Sequence, residues 1–533
     1  MACSSVCRSA FRRDRSRLKP LLQGLVLSAM LAQPVAAEQT LRRGNSVEPE
    51  TLDPHKARGV SASNILRDLY EGLTTESPAG AIVPGAAERW ELSADGRVYT
   101  FTLRAGARWS NGEPLLAPEF AAALRRCVDP ATGSPVSQIL APIEQAEAII
   151  AGRAPAASLG VEATDARTLV IRLRAPTPYF PAVLAHPAAY PVHAPGPRGE
   201  PVGNGAYRLA EWVPQSHLTL ERNAHYWNDA ATAIDRVIYY PTENPASELK
   251  RYRAGELDLT DTIPVSQARW IREQLGAEYQ AAPYLGLYYY GFNLTRPPFK
   301  DQPGLRRALA LAVDREALTA RILATGEPPA HNWVPAGVTG YTPQLPPWAA
   351  WPAEQQLAEA RRLYAAAGYS ADRPLELELR YNTGDNHKRV ALAVAWMWKR
   401  ALGVRTRLIN EEYKVYLQNR RHRQVTQLFR ADWIGDYDDA SSFAERMLSA
   451  SGLNDTGYDN PRYDALVVEA RAETDPARRR ALLEEAERIL LEDQPVLPLY
   501  FYVSKRLVKP YVAGWQPNIM DHHYTRHLRL LPR

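Results

Sequence analysis

Four carboxylates, Asp432, Asp436, Asp438 and Asp439, crowd together with Trp433 in the segment RADWIGDYDDASSF, from Arg430 to Phe443. A carboxylate beside a large aromatic side chain can receive a cation. Spaced aspartates can also supply the close oxygens that calcium prefers, and a solvated acidic loop would have the same composition. Local sequence leaves these three readings open. Catalytic patterns are scarce elsewhere. The chain has no P-loop, no HExxH, no GxSxG and no paired-cysteine metal motif. Ser247 to Lys250, SELK, matches the Ser-x-x-Lys of penicillin-recognising enzymes, but neither Ser-Asp-Asn nor Lys-Thr-Gly accompanies it, so it reads as a chance match. His523 and His527 have helical metal-ligand spacing. They lie in DHHYTRHLRLL at the end of the chain, where a terminal strand with exposed histidines is the expectation. Nothing assembles a nucleophile with its base, so the sequence points to binding and not to an enzyme.

The elements that must carry these residues show two textures. Trp90 to Leu103 alternates Tyr99, Phe101 and Leu103 after an Asp95-Gly96 turn, which predicts a β-hairpin, and Leu159 to Leu173 repeats the design with Leu169, Ile171 and Leu173. Further on, Leu375, Leu377 and Leu379 alternate as a strand. Asn386 to Gly403 follows as a helix closed by glycine, and VRTRLI extends again, which makes a βαβ unit. Asp475-Pro476 supplies a cap and a first-turn proline to the helix that follows, and VLPLYFYV returns as a buried strand. Hairpins and α/β layers in separate stretches predict several lobes, and ligands commonly bind between lobes.

The 533 residues, 45% hydrophobic and 23% charged, fit a soluble chain of about three domains. The formal net charge of +5 is confined to the front. Arg8, Arg12, Arg13, Arg15, Arg17 and Lys19 stand there against Asp14, ahead of an apolar run from Leu21 to Leu31 and then Val35-Ala36-Ala37. This is the pattern of a secretory signal peptide over residues 1–37, with cleavage expected after Ala37. The apolar run is too short for a membrane anchor, and no later stretch reaches membrane length. Cys3 and Cys7 precede the run, so neither is the lipid-acceptor cysteine of a lipoprotein. Beyond residue 37 the charges balance, which removes the argument for nucleic acid or lipid as a partner. Cys127 is then the only cysteine, so no intrachain disulfide is expected.

Ordered motifs through nearly the whole chain decide among the open readings. SVEPETLDPHKARGVSASNILRDLYEGL, LRAGARWSNGEPLLAPEF, PVGNGAYRL, LERNAHYWND, AGELDLT, RADWIGDYDDASSF and RLVKP together resemble the oligopeptide-binding proteins of bacterial ABC importers, extracytoplasmic solute-binding family 5. The resemblance implies an α/β, three-lobed periplasmic binding protein fold of type II, cluster C, with two ligand-binding lobes and a hinge. One ligand-binding lobe would comprise residues 38–70, 196–285 and 504–533. The second would be residues 286–503, and an extra hairpin-rich lobe residues 71–195. It further implies a periplasmic monomer that closes around an oligopeptide and delivers it to an inner-membrane permease and ATPase complex, without a cofactor or metal.

A receptor for many peptides must draw affinity from what all peptides share, the backbone and the two charged ends. By resemblance Asp436 pairs with the peptide α-ammonium, and the main chain at Val60 adds a β-strand contact. Trp433, Tyr413 and Tyr502 form pocket walls with Tyr284 and Tyr289, and Ile434 and Gly435 flank the carboxylate. Arg430, Arg420 and His387 match positions that meet the C-terminal carboxylate of peptides of different lengths. The chain also departs from the Gram-negative archetype. Gly286 and Ile434 stand where that protein has a cysteine pair, Val136 replaces a pocket tyrosine, and Gly291 replaces a pocket glutamate. Arg58 reverses an acidic position and Arg421 replaces a histidine, which predicts a preference for acidic or murein-derived peptides if both face the cleft. The alternatives are a receptor of the same fold for a non-peptide ligand, and a secreted hydrolase.

Overall fold

Residues 38–197 and 199–532 are described in this computed structural model, so the expected export signal lies outside the described residues. Three larger sheets lie along the chain. In the first, Thr40–Asn45 pairs in parallel with Arg236–Pro241, which continues antiparallel through His217–Arg222 to Tyr207–Val213. Leu41, Leu218, Leu220, Val237 and Tyr239 turn one face of this sheet against Ile65, Leu66 and Leu69 of the helix Gly59–Leu69.

The two predicted hairpins merge into a single antiparallel sheet. Val98–Leu103 pairs with Ala87–Leu92 on one side and with Thr168–Arg172 on the other, with Tyr99 opposite Ile171 and Phe101 opposite Leu169. Gly96 adopts φ 69° in the turn, a conformation that glycine takes without steric cost. The inward residues close on Phe120 and Leu124 of the helix Ala117–Val128. Cys127 of that helix is buried in the same core.

The third sheet runs in the order Arg405–Glu411, Glu376–Asn382, Leu428–Ile434, Tyr279–Phe292 and Val496–Leu507. The predicted βαβ unit is present. Glu376–Asn382 and Arg405–Glu411 are parallel, and the helix Asp385–Leu402 between them ends at Gly403, whose φ is 76° and whose N–H donates to Lys399 O. Both faces of this sheet are covered, one by Leu379, Val394 and Trp398, the other by Phe429, Phe443 and Leu490. Asp475 caps the helix Pro476–Asp493 by accepting from Arg478 N at 2.7 Å.

Tyr279–Phe292 and Val496–Leu507 are the two strands by which the chain crosses between the first and third sheets. They pair antiparallel, Tyr279 with Leu507 through Pro283 with Val503, and resume at Leu287 with Phe501 after a bulge. Beyond Leu507, whose N–H donates to Thr260 Oγ1, a bridge from Val508 to Leu259 reaches Arg43 of the first sheet. The fold is thus the mixed α/β, multi-sheet architecture that the sequence implied. No helix among the described residues is long and apolar enough to cross a membrane.

One expectation is corrected. His523 is not an exposed terminal histidine. It stacks on Trp515 with ring centroids 3.6 Å apart and pairs with Asp521 at 2.9 Å, while His527 is half-buried near Glu76 O. The SELK stretch lies in the helix Pro245–Arg253, where Ser247 offers its N–H to the Asn244 cap.

Candidate functional site

The strand Leu428–Ile434 fixes one wall of the site by alternation. Arg430, Asp432 and Ile434 stand opposite Tyr290, Tyr288 and Gly286, while Phe429, Ala431 and Trp433 turn to the other face. Ile434 stands directly across from Gly286. Where the strand ends, Gly435 N donates to Leu285 O at 2.8 Å, and Asp436 N donates to Ser442 Oγ at 3.1 Å. The space at Gly435 is closed: a Cβ there would lie 2.5 Å from Leu285 Cδ2. The backbone of Asp436 is therefore held from two sides, and its carboxylate accepts no hydrogen bond from the described residues.

That carboxylate faces a cavity of about 380 Å³ whose other walls include Glu76, Ile82, His186, Thr339 and His522. By surface area Asp436 is exposed, yet protein surrounds it on most sides. Water can reach it without providing bulk solvation. This burial raises its pKa from 3.8 to about 6, with nearby Arg446 pulling the other way. Across the cavity, His522 Nδ1 donates to Glu76 at 2.8 Å, and its Nε2 accepts from Arg67 at 2.7 Å, an arrangement that keeps the imidazole neutral. Local sequence gave no sign of this Glu76, His522 and Arg67 group beyond the histidine-rich DHHYTRH.

The acidic run disperses on folding. Asp432 pairs with Arg430, Asp438 accepts from Thr339 N and Oγ1 at 3.0 and 2.6 Å, and Asp439 takes both guanidinium arms of Arg479 at 2.8 Å. Carboxylates aimed in different directions do not make a calcium site, and no group of three or more metal-capable side chains exists among the described residues. Tyr437 stacks on Tyr179 at 4.4 Å and so joins the hairpin-rich segment to the wall beside Asp436.

A second cluster gathers at the other end of the strand. Arg430 lies 4.7 Å over the Tyr288 ring, pairs with Asp432 at 2.5 Å, and donates to Tyr502 Oη at 3.2 Å and to Asn382 Oδ1 at 3.3 Å. His387 Nδ1 is 3.3 Å from Tyr288 Oη, and burial with the nearby Arg430 charge lowers its pKa to about 4. Among the expected site residues, Arg430, His387 and Tyr502 thus come together. Trp433, whose Nε1 donates to Ser442 O at 2.8 Å, lies on the opposite face under Arg446, and Arg446 Nε also donates to Tyr289 Oη at 3.2 Å.

The remaining expected residues lie apart. Tyr289 is buried and packs edge-on against Trp333, so it offers no open pocket wall. Tyr284 is half-buried in the bulge between the crossing strands. Arg420 Nε sits 2.7 Å from Asp455 Oδ2, an ion pair in distance although not aligned as a hydrogen bond, with the two side chains only 12% and 7% exposed. Arg58, Val60, Tyr413 and Arg421 are exposed at the starts or ends of helices. A side chain at Gly291 would run into the Phe429 ring, so that position has no space for a larger residue.

Residues 81–455 match the family model for bacterial extracellular solute-binding proteins, family 5. The periplasmic oligopeptide-binding protein OppA of Escherichia coli K12 is 39% identical over 510 residues, 93% of each chain. A probable deoxycholate-binding periplasmic protein, YgiS, of the same strain is also 39% identical over 507 residues, covering 93% of this chain and 94% of that protein. Among solved structures, the Escherichia coli murein tripeptide binding protein MppA superposes with a TM-score of 0.81 at 38% identity, covering 93% of this chain and 99% of that one. Haemophilus influenzae OppA in complex with RPPGFSPFR gives a TM-score of 0.79 at 38% identity, with the same two coverages.

Proposed function

This chain belongs to the bacterial extracellular solute-binding proteins of family 5, and from that premise we propose that it captures oligopeptides in the periplasm and passes them to an ABC importer. The lobes would be residues 38–70 with 196–285 and 504–533, residues 286–503, and the hairpin-rich 71–195. Residues 1–37 would direct export and be removed in the course of it, and the receptor would act as a monomer. The observation that carries the reading is Asp436, an unbonded carboxylate in a walled cavity, which could take a ligand ammonium. The main chain at Val60 would pair with the peptide, and Trp433, Tyr413, Tyr502 and Tyr284 would bound its side chains. By the resemblance, Arg430 and His387 would be nearest the C-terminal carboxylate of a short ligand, and Arg420 nearest that of a ligand of another length. A preference for peptides with an additional carboxylate, including murein peptides with γ-linked D-glutamate, rests on exposed Arg58 and Arg421.

A second reading draws on the equal identity to the probable deoxycholate-binding relative. Asp436 speaks against it, because a bile acid carries a carboxylate and no amine, and an anion facing Asp436 would be repelled. Titration calorimetry with a free tripeptide and its N-acetylated form separates the two. Binding of the free peptide alone supports peptide capture. Binding of deoxycholate, with neither peptide bound, overturns it.

A further inference from the structure

The cations expected to receive a peptide's C-terminal carboxylate already have carboxylates of their own. Arg430 is 2.5 Å from Asp432, and Tyr502 Oη donates to the same Asp432 oxygen at 3.2 Å. The Arg430 side chain is 6% exposed and that of Asp432 is 38%, so the member of the pair that faces water is the anion. The other donors of Arg430 are enclosed. Nη1 is committed to Asn382, and Nε is buried without a partner. A ligand carboxylate would have to displace Asp432 or share one guanidinium edge with it, against like-charge repulsion. Arg420 repeats the arrangement with buried Asp455. His387 offers no charge at neutral pH either, with its pKa lowered to about 4 by burial and by Arg430.

We infer that Asp432 is a specificity-determining residue that occupies the carboxylate position at Arg430, so that this receptor reads peptides from the amino end and accepts ligands whose C-terminus is amidated or otherwise blocked. The inference rests on the peptide reading above. It differs from any preference exerted through Arg58 and Arg421, which concerns additional acidic groups and not the terminal one. The ligand class is thus peptides with a free α-amine and no requirement for a free α-carboxylate.

Calorimetry on the wild-type protein and on Asp432→Asn, with alanine peptides of three to five residues, each as free acid and as C-terminal amide, tests this. Acid and amide are expected to bind within about threefold of each other at every length, and Asp432→Asn to make the acid at least about tenfold tighter than the amide at one length. An acid bound about tenfold or more tighter than its amide by the wild type overturns the inference while leaving peptide capture intact. Equal binding of acid and amide that Asp432→Asn does not change overturns the role of Asp432. If no peptide binds either protein in any form, the peptide reading itself falls, and the inference falls with it.

Discussion

Replacing Asp436 by asparagine should abolish ligand capture while making the protein harder to melt. In the free protein burial holds the carboxyl at a pKa of about 6, whereas a docked ammonium would keep it ionised. Binding at pH 6 should therefore release about 0.5 proton per peptide, and the net release should fade to about zero near pH 7. Glu76, held at about 2, and His186, at about 3, titrate below this window, and Asp436→Asn separates the release at Asp436 from any at His522, whose pKa burial lowers. Affinity should fall about tenfold between pH 7 and pH 5, as the free carboxylate takes up its proton. Above about pH 7 the sign reverses, because the fraction of peptide amine that must gain a proton on binding then exceeds the fraction of carboxyl that loses one. Calorimetry in two buffers of different protonation enthalpy reads the proton count directly.

Asp436→Asn should remove the release and cost about 3 to 5 kcal/mol of binding, or about two to four decades. The stability sign is opposite. A carboxyl raised above 3.8 binds protons in the fold more readily than in the unfolded chain, so the fold loses stability as pH rises from about 4 to about 6. In a dry site this would amount to about 3 kcal/mol at pH 7, and water at the carboxylate screens it to about 1 kcal/mol, which asparagine should recover. No proton release at pH 6 with affinity intact, or an Asp436→Asn protein that binds like wild type, would refute the reasoning.

Other expectations follow from the same geometry. Gly435→Ala places a Cβ 2.5 Å from Leu285 and 3.2 Å from Phe443, so urea denaturation should show a loss of about 1 to 3 kcal/mol, with weaker peptide binding from the displaced Asp436. Glu248, buried and accepting from Asp261 N at 2.8 Å, has its pKa raised to about 7 by burial. Its contribution to stability should decline as pH rises from about 4.5 through 7, and Glu248→Gln should flatten that part of the profile of urea midpoints. Terminal sequencing of the exported protein should begin at Glu38; a start at Met1 would remove the signal-peptide reading.

Local sequence conveyed elements better than their joining. Tyr99, Phe101 and Leu103 announce a half-buried strand by their alternation, but nothing local says that Tyr99 will sit opposite Ile171 in one sheet. Tyr279–Phe292 shows no alternation because its second half is covered on both faces, and such strands look the same as any apolar run. At the site, ordered motifs singled out Asp436, which composition alone left equal to the other aspartates. The pairings that change the chemistry were out of reach. Arg420 with Asp455, His522 with Glu76 and His523 against Trp515 each depend on a fold that brings the two residues together. The expected exposure of His523 failed for that reason, since a polar residue near a chain end is buried only when distant partners arrive.

The chain passes between its first and third sheets on two hydrogen-bonded neighbours, interrupted by a bulge between Pro283 and Leu287. Such a ribbon is stiff to stretching and to bending within its own plane, and compliant to torsion where the ladder is broken. A displacement of one sheet against the other would be taken up first at that interruption, as a rotation about the ribbon. Contacts made anywhere along a ligand would then draw on the same rotation, and a weak grip at one end would be felt as lost affinity at the other.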